Sequence, residues 1–136
     1  MRPIIVYAYI CGDILHRGHL LYLQNALAFG DILIVGVLTD EAIAERKPKP
    51  VMSFEERLNM VLALEYVNIA VPQTTYSPVN NIRIIRPDVL IESESHDGKM
   101  LEEVHNEMAR IGGYIQMMPY YPVQSSAKIK EEIRHE

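Results

Sequence analysis

Ile10-Cys11-Gly12-Asp13-Ile14-Leu15-His16-Arg17-Gly18-His19-Leu20 is the stretch on which the fold of this chain turns. It follows an apolar run, Ile4 to Tyr9, with the length and composition of a short buried strand. Leu20, Leu21, Leu23, Ala26 and Leu27 come after it at helical spacing. His16, Gly18 and His19 therefore fall where a strand ends and a helix begins, the place where an open α/β sheet collects its ligands. The first N–H groups of a helix lack an intrahelical partner, and with the helix dipole they make a natural phosphate site. His16 and His19 stand three apart, which puts them on one side of the first turn. Gly18 between them lets a phosphate approach the backbone.

Two histidines at a helix start also occur as plain surface residues. The strand before and the helix after favour a ligand role. A zinc centre fits less well, because its ligand spacings need cysteine or carboxylate companions and Cys11 is the only cysteine. No protein metal cage is expected.

The chain has 136 residues, 49% hydrophobic and 23% charged, which is the size and composition of one globular domain spanning 1–136. No run approaches the ~20 apolar residues of a membrane span, so no membrane partner is expected. Met1-Arg2-Pro3 followed by a strand lacks the form of a signal peptide. A lone cysteine suits a reducing compartment, and the expected location is cytoplasmic. The net charge of −5 and the absence of a basic stripe argue against nucleic acid. Any phosphate site must be local.

Further along, the first helix is expected over Gly18 to Phe29, with Gly30 as its cap. Ile32 to Leu38 is apolar throughout, as in a parallel strand covered on both faces. Thr39 and Asp40 cap a short helix, Glu41 to Arg46, ended by Pro48. Arg46-Lys47-Pro48-Lys49-Pro50 is the densest basic segment. It reads either as a solvated loop or as a stiffened one that holds Lys47 over a cleft. Ser53-Phe54-Glu55-Glu56 is a capping box for a helix carrying Leu58, Val61, Leu62 and Leu64 toward the core. Arg57 lies in its first turn, either on the surface or reaching into the cleft. Asn68 to Val71 reads as a third strand stopped by Pro72. Val79 to Arg86 reads as a helix, and Val89 to Ile91 as a fourth strand. The polar run Glu92 to Lys99 is expected as a loop at the same end of the sheet as His16. Met100 to Ile111 is helical, with Leu101, Val104 and Met108 inward and His105 exposed. Tyr114 to Met118 is a fifth strand, and Ser125-Ser126 cap a last helix, Ala127 to Arg134. This alternation predicts an α/β fold: a Rossmann-like, doubly wound, parallel five-stranded sheet with helices on both faces.

Three junctions should converge: Cys11–His19, Glu92–Lys99 and Tyr120–Ser126. They offer imidazoles, hydroxyls, backbone N–H groups and a basic loop. They hold neither an activated nucleophile with an orienting partner nor paired carboxylates at a useful spacing. That equipment orients and neutralises phosphates, which is most of what phosphoryl-type transfer asks of a protein.

Asp13-Ile-Leu-His16-Arg-Gly18-His19, with Ser125-Ser126-Ala127-Lys128 near the end, resembles the HxGH nucleotidyltransferase superfamily. Asp31 to Glu41, Lys47, and Pro50-Val-Met-Ser-Phe-Glu-Glu-Arg57 are similar to its cytidylyltransferase branch, whose enzymes act on glycerol 3-phosphate, phosphocholine, phosphoethanolamine and related phosphonates. Val71-Pro72-Gln73-Thr74 and Arg86-Pro87-Asp88 extend the match over nearly the whole chain. The resemblance implies transfer of CMP from CTP to a phosphorylated small alcohol, with release of pyrophosphate. It implies that His16 and His19 stabilise charge on the phosphates and that Lys47 bridges nucleotide and acceptor. Ser125 and Ser126 would hold the β- and γ-phosphates. Ile10, Cys11, Gly12, Gly18, Ser93, Glu94 and Tyr120 would line the nucleotide. Mg2+ would arrive with the nucleotide rather than in a protein cage, and relatives suggest a homodimer.

The chain departs from the family pattern at several points. Ile10-Cys11-Gly12-Asp13 stands for Gly-x-Phe-Asp, Glu65 for an arginine, Ser93-Glu94 for Gly-Asp, and Tyr120 for a second arginine. These departures bear on base choice, so an adenylyltransferase using ATP on FMN or a sugar phosphate stays open. A nucleotide-binding protein with little catalysis is the third alternative.

Overall fold

The computed structural model describes residues 1–93 and 98–119. The described strands are β1 (Ile5–Ile10), β2 (Ile32–Leu38), β3 (Ile69–Gln73), β4 (Val89–Ser93) and β5 (Tyr114–Met118). They form one sheet in the order β3-β2-β1-β4-β5, and every pairing is parallel. β1 lies at the centre, with Ile5 opposite Ile32 and Val6 opposite Val89. The described helices are α1 (Arg17–Leu27), α2 (Asp40–Ala44), α3 (Phe54–Leu62), α4 (Val79–Ile85) and α5 (Gly98–Arg110).

Two apolar clusters lie against the two faces of the sheet, since successive strand residues point to opposite sides. Val6, Ala8 and Ile10 join Leu33, Val35 and Val37 under α1 and α3, which contribute Leu23, Ala26 and Val61. Tyr7 and Tyr9 join Ile34, Leu38 and Leu90 under α2, α4 and α5, which contribute Ala42, Ile43, Ile82, Met100, Val104 and Met108. The doubly wound architecture is therefore as expected. α1 leaves β1 toward one face and α5 leaves β4 toward the other. The crevice between their starts is the point where strand order reverses, and such crevices bind ligands.

Some expectations are corrected. Pro72 does not stop β3, which runs through it to Gln73. β3 is an edge strand, so the missing N–H faces no neighbour, and Asn81 Nδ2 caps the Pro72 carbonyl at 3.0 Å. Glu92 and Ser93 are not loop residues but the end of β4. Leu62 is exposed rather than inward, one helical step off the stripe set by Leu58 and Val61. Gly30 is not the cap of α1, which is Ala28. Gly30 serves close packing instead, as a Cβ there would lie 2.6 Å from Val6 Cγ2. The expected last helix and the loop at 94–97 lie outside the described residues.

Candidate functional site

Chain order brings the end of β1 into a tight loop before α1. Gly12 has φ +75°, a conformation that costs glycine little. Ile14 has φ +55°, an unfavourable value for a β-branched residue, so backbone strain is stored just ahead of the histidines. Asp13 is buried beneath this loop. Its two carboxylate oxygens accept from Val51 N and Met52 N, each at 2.9 Å. The loop after Lys47 is thereby tied to the loop before His16.

Arg57 completes the tie. The expectation left it on the surface or in the cleft, and the structure buries it completely. Nη1 donates to the carbonyls of Cys11 and Leu38 at 2.6 Å each, Nη2 to Asp40 Oδ1 at 2.7 Å, and Nε to the Met52 carbonyl at 3.3 Å. One planar guanidinium therefore fastens the end of β1, the end of β2 and the start of α3, as its fixed fork of donors allows. Sequence reasoning gave no such role to Arg57 or Asp13. A long charged side chain in the first turn of an amphipathic helix looks like surface until its partners are known.

The two histidines cap their own helix. His16 is the N-cap of α1, with Nδ1 accepting from Gly18 N at 3.0 Å. His19 Nδ1 accepts from His16 N at 3.1 Å, closing a capping box in which imidazoles replace the usual hydroxyl and carboxylate. This corrects one expectation: the amides of Gly18 and His16 are spent on imidazoles, not held for phosphate. The accepting Nδ1 atoms fix the tautomer of both rings, leaving each proton on Nε2. The ring centroids are 4.2 Å apart. Burial, then the neighbouring His16 and Lys47, lowers the His19 pKa to about 4. Burial also lowers that of His16. Both rings are thus neutral N–H donors at ordinary pH.

Lys47 approaches the same loop. Its Nζ lies 3.9 Å from Cys11 Sγ, at the mouth of the loop. Ile10 differs from the other nucleotide-lining candidates, because its side chain is buried in the apolar cluster and only its backbone is left for a ligand. At the end of β4, the buried Glu92 accepts from the Tyr9 hydroxyl at 2.7 and 2.8 Å, and from Ser93 N at 3.2 Å. Burial, then the charge of Glu92, pushes the hydroxyls of Tyr9 and Tyr22 far above their usual range, so both stay protonated. Ser93 ends β4 at the same edge of the sheet as His16. The structure thus gathers Cys11, Gly12, His16, Gly18, His19 and Lys47, with Ser93 across the crevice. Glu94, Tyr120, Ser125 and Ser126 lie outside the described residues. Among the described residues, no three of His, Cys, Asp and Glu gather into a metal cage.

The family model described as cytidylyltransferase-like matches residues 11–132. A bifunctional protein HldE of Campylobacter fetus subsp. fetus is 33% identical over 132 residues, 96% of this chain and 28% of that protein. The HldE of Wolinella succinogenes is 41% identical over 97 residues, 70% of this chain and 20% of that one. The chain therefore spans under a third of the length of these curated relatives. Among solved structures, a lipopolysaccharide core biosynthesis protein from Thermoplasma volcanium superposes with a TM-score of 0.76 at 22% identity, covering 88% of this chain and 98% of that one. A pantoate-beta-alanine ligase from Francisella tularensis, complexed with beta-gamma ATP and beta-alanine, gives 0.63 at 14% identity, over 94% of this chain and 65% of that one. Both likenesses are of fold.

Proposed function

The chain belongs to the cytidylyltransferase-like family, and on that premise we propose that it transfers a nucleotidyl group from a nucleoside triphosphate to a phosphorylated small alcohol. CTP is the donor of first choice. An acceptor phosphate oxygen attacks the α-phosphorus, the bond from that phosphorus to the β-phosphate bridging oxygen breaks, and pyrophosphate leaves. The acceptor phosphate is already ionised at neutral pH, so the step needs no general base, and none is offered by the His16–His19 pair.

The observation that carries this reading is the double imidazole cap. Two neutral Nε2–H donors stand at the start of α1, with the Lys47 ammonium beside the loop they close. Fixed donors of this kind stabilise charge developing on a transferring phosphoryl group without reorganising. Lys47 would bridge the acceptor and α-phosphates. Ser125 and Ser126 would hold the β- and γ-phosphates, and Cys11, Gly12, Gly18, Ser93, Glu94 and Tyr120 would surround the nucleotide. Mg2+ would enter on the triphosphate, which itself supplies its oxygens, and would offset phosphate charge there.

A second reading takes ATP as the donor. It is favoured by Glu65 and Tyr120, which stand where the family carries arginines, and is compatible with the ATP complex of the Francisella ligase of like fold. The test is pyrophosphate release from CTP, ATP, GTP and UTP with Mg2+, each against a panel of phosphorylated acceptors. Release with CTP supports the first reading, and release with ATP alone replaces it by the second. Nucleotide binding without release from any pair marks a binding protein and overturns both.

A further inference from the structure

β1 and β4 are neighbours in the sheet, yet they pair only at Val6 with Val89 and at Tyr7 with Leu90. Each strand keeps its other neighbour to its last residue, β1 along β2 to Ile10 and β4 along β5 to Ser93. The carboxyl ends of β1 and β4 therefore part beyond Tyr7 and Leu90, and the gap is the crevice where strand order reverses. We propose that Tyr22 of α1 is a positioning residue for nucleotide at this crevice: its hydroxyl takes the Tyr9 N–H in place of a strand partner, which keeps β4 from closing on β1 and seats the histidine end of α1 over the gap. The proposal rests on the nucleotidyltransferase reading and adds a residue to its site.

Tyr9 lies two residues beyond the last pair that β1 makes with β4. The Tyr22 hydroxyl is hydrogen-bonded to its backbone. Burial raises the pKa of that hydroxyl, and the bond to Tyr9 works against the rise, as only a donor to the phenol oxygen does. The Tyr9 N–H is that donor. A buried amide needs such a partner, because leaving it without one costs about as much as a lost hydrogen bond. Paired strands stand about 4.8 Å apart, too close to admit a phenol hydroxyl between their backbones. The amide can therefore be served by Tyr22 only while the strands stay parted.

His16, His19 and Tyr22 recur at three-residue steps, so they share one side of α1. The Tyr22 ring packs on the apolar cluster beneath that helix while its hydroxyl reaches β1, an apolar body with a polar tip. The residue that occupies the gap thus also fixes the side of α1 that carries the imidazoles. Glu92 holds the opposite wall. From β4 it accepts from the Tyr9 hydroxyl at 2.7 and 2.8 Å and from Ser93 N at 3.2 Å. Tyr9 is held through its backbone by α1 and through its side chain by β4. Tyr7, two residues earlier, where the strands still pair, gives a contrast. Its hydroxyl serves only side chains, donating to Gln73 Oε1 at 2.6 Å and accepting from Asn81 Nδ2 at 2.8 Å.

The test uses Tyr22→Phe, which deletes one oxygen and keeps the ring. Tyr7→Phe is the control for losing a buried hydroxyl away from the crevice. Amide hydrogen exchange at Tyr9 is followed by nuclear magnetic resonance, the Kd of CTP and ATP by calorimetry, and kcat and KM by pyrophosphate release. In Tyr22→Phe the Tyr9 amide should exchange about tenfold faster. Nucleotide Kd should rise and kcat should fall by about tenfold, the scale of one buried hydrogen bond, with acceptor KM little changed. Tyr7→Phe should lower the melting temperature and leave kcat and nucleotide Kd at wild-type values. Unchanged exchange at Tyr9 overturns the proposal, because Tyr22 is then not its partner. Wild-type Kd and kcat in Tyr22→Phe overturn it, and so do losses that Tyr7→Phe matches, which would make Tyr22 a stabilising residue only. If no substrate pair releases pyrophosphate, the transferase reading falls, and the exchange and nucleotide Kd still decide the role of Tyr22. Absence of any nucleotide binding overturns both.

Discussion

His19 carries the strongest expectation at the scale of single residues. His19→Ala should leave the sheet intact and lower kcat by about 10²–10³, the usual cost of one preorganised donor. Unchanged turnover on the true substrate pair would remove the histidine from the mechanism. The same residue makes stability depend on pH. Its folded pKa is about 4, below the unfolded value of about 6.5. Between those values the unfolded chain binds a proton that the folded chain refuses, so stability rises with pH across that window and is lost as pH falls through it. Denaturant melts at pH 7, 5.5 and 4.5 should show falling midpoints, and His19→Gln should flatten the slope. An equal slope in the variant would place the effect elsewhere. Lys47 and Lys49 supply a second contrast. Lys47 Nζ lies 3.9 Å from Cys11 Sγ in the histidine loop, and Lys47 is the lysine that the family resemblance matches, so Lys47→Ala should raise acceptor KM and depress kcat well beyond Lys49→Ala. Equal losses would indicate a diffuse basic loop instead of a bridging lysine.

At the scale of elements, periodicity and capping chemistry were legible and tertiary ties were not. The apolar run Ile32–Leu38 coincides with β2 because its buried positions from Leu33 to Leu38 leave little else, whereas Tyr114–Met118 coincides with β5 although only Met118 of it is buried. The histidine positions were also readable, since a strand-to-helix junction is a local signal. Their capping was not, because imidazole is an uncommon cap and its ring orientation is set by neighbours. Glu92 looked like loop on polarity alone, and the Tyr9 hydroxyl that makes its burial tolerable lies 83 residues away in sequence. Gly36 shows the same limit. It sits inside β2 because a Cβ there would lie 1.9 Å from Tyr7 Oη. That hydroxyl donates to Gln73 Oε1 at 2.6 Å and accepts from Asn81 Nδ2 at 2.8 Å. Gly36→Ala should therefore cost about 1–3 kcal/mol through overpacking, with some further loss from the broken network. Urea unfolding measures it, and a cost under ~0.5 kcal/mol would show that Tyr7 moves aside freely.

For the molecule as a whole, the site is assembled from loops that the sheet alone does not hold together. Asp13 ties the segment at Val51 and Met52 to the histidine loop, and Arg57 ties that loop to the end of β2 and the start of α3. Nucleotide binding should draw on all of these ties, because a ligand stabilises the chain only through the folded arrangement it recognises. At 100 times its dissociation constant, the preferred triphosphate should add ~2.7 kcal/mol, read as a rise in melting temperature. Asp13→Ala leaves two backbone amides without their acceptor, at about 1–3 kcal/mol each where they are buried. Part of that cost should appear as weaker binding and not only as a lower melting temperature, since the freed segment leads back to Lys47. The expected pattern is a wild-type shift with CTP that exceeds the shift with GTP and UTP, and a smaller CTP shift in Asp13→Ala at the same ligand concentration. A variant that melts lower but gains the full wild-type shift would show that Asp13 supports the fold alone. A larger shift with ATP than with CTP would show that Glu65 and Tyr120, standing where the family has arginines, mark a change of base. His16, His19 and Lys47 would keep the roles proposed for them in either case, because a triphosphate and a phosphorylated acceptor are common to both donors.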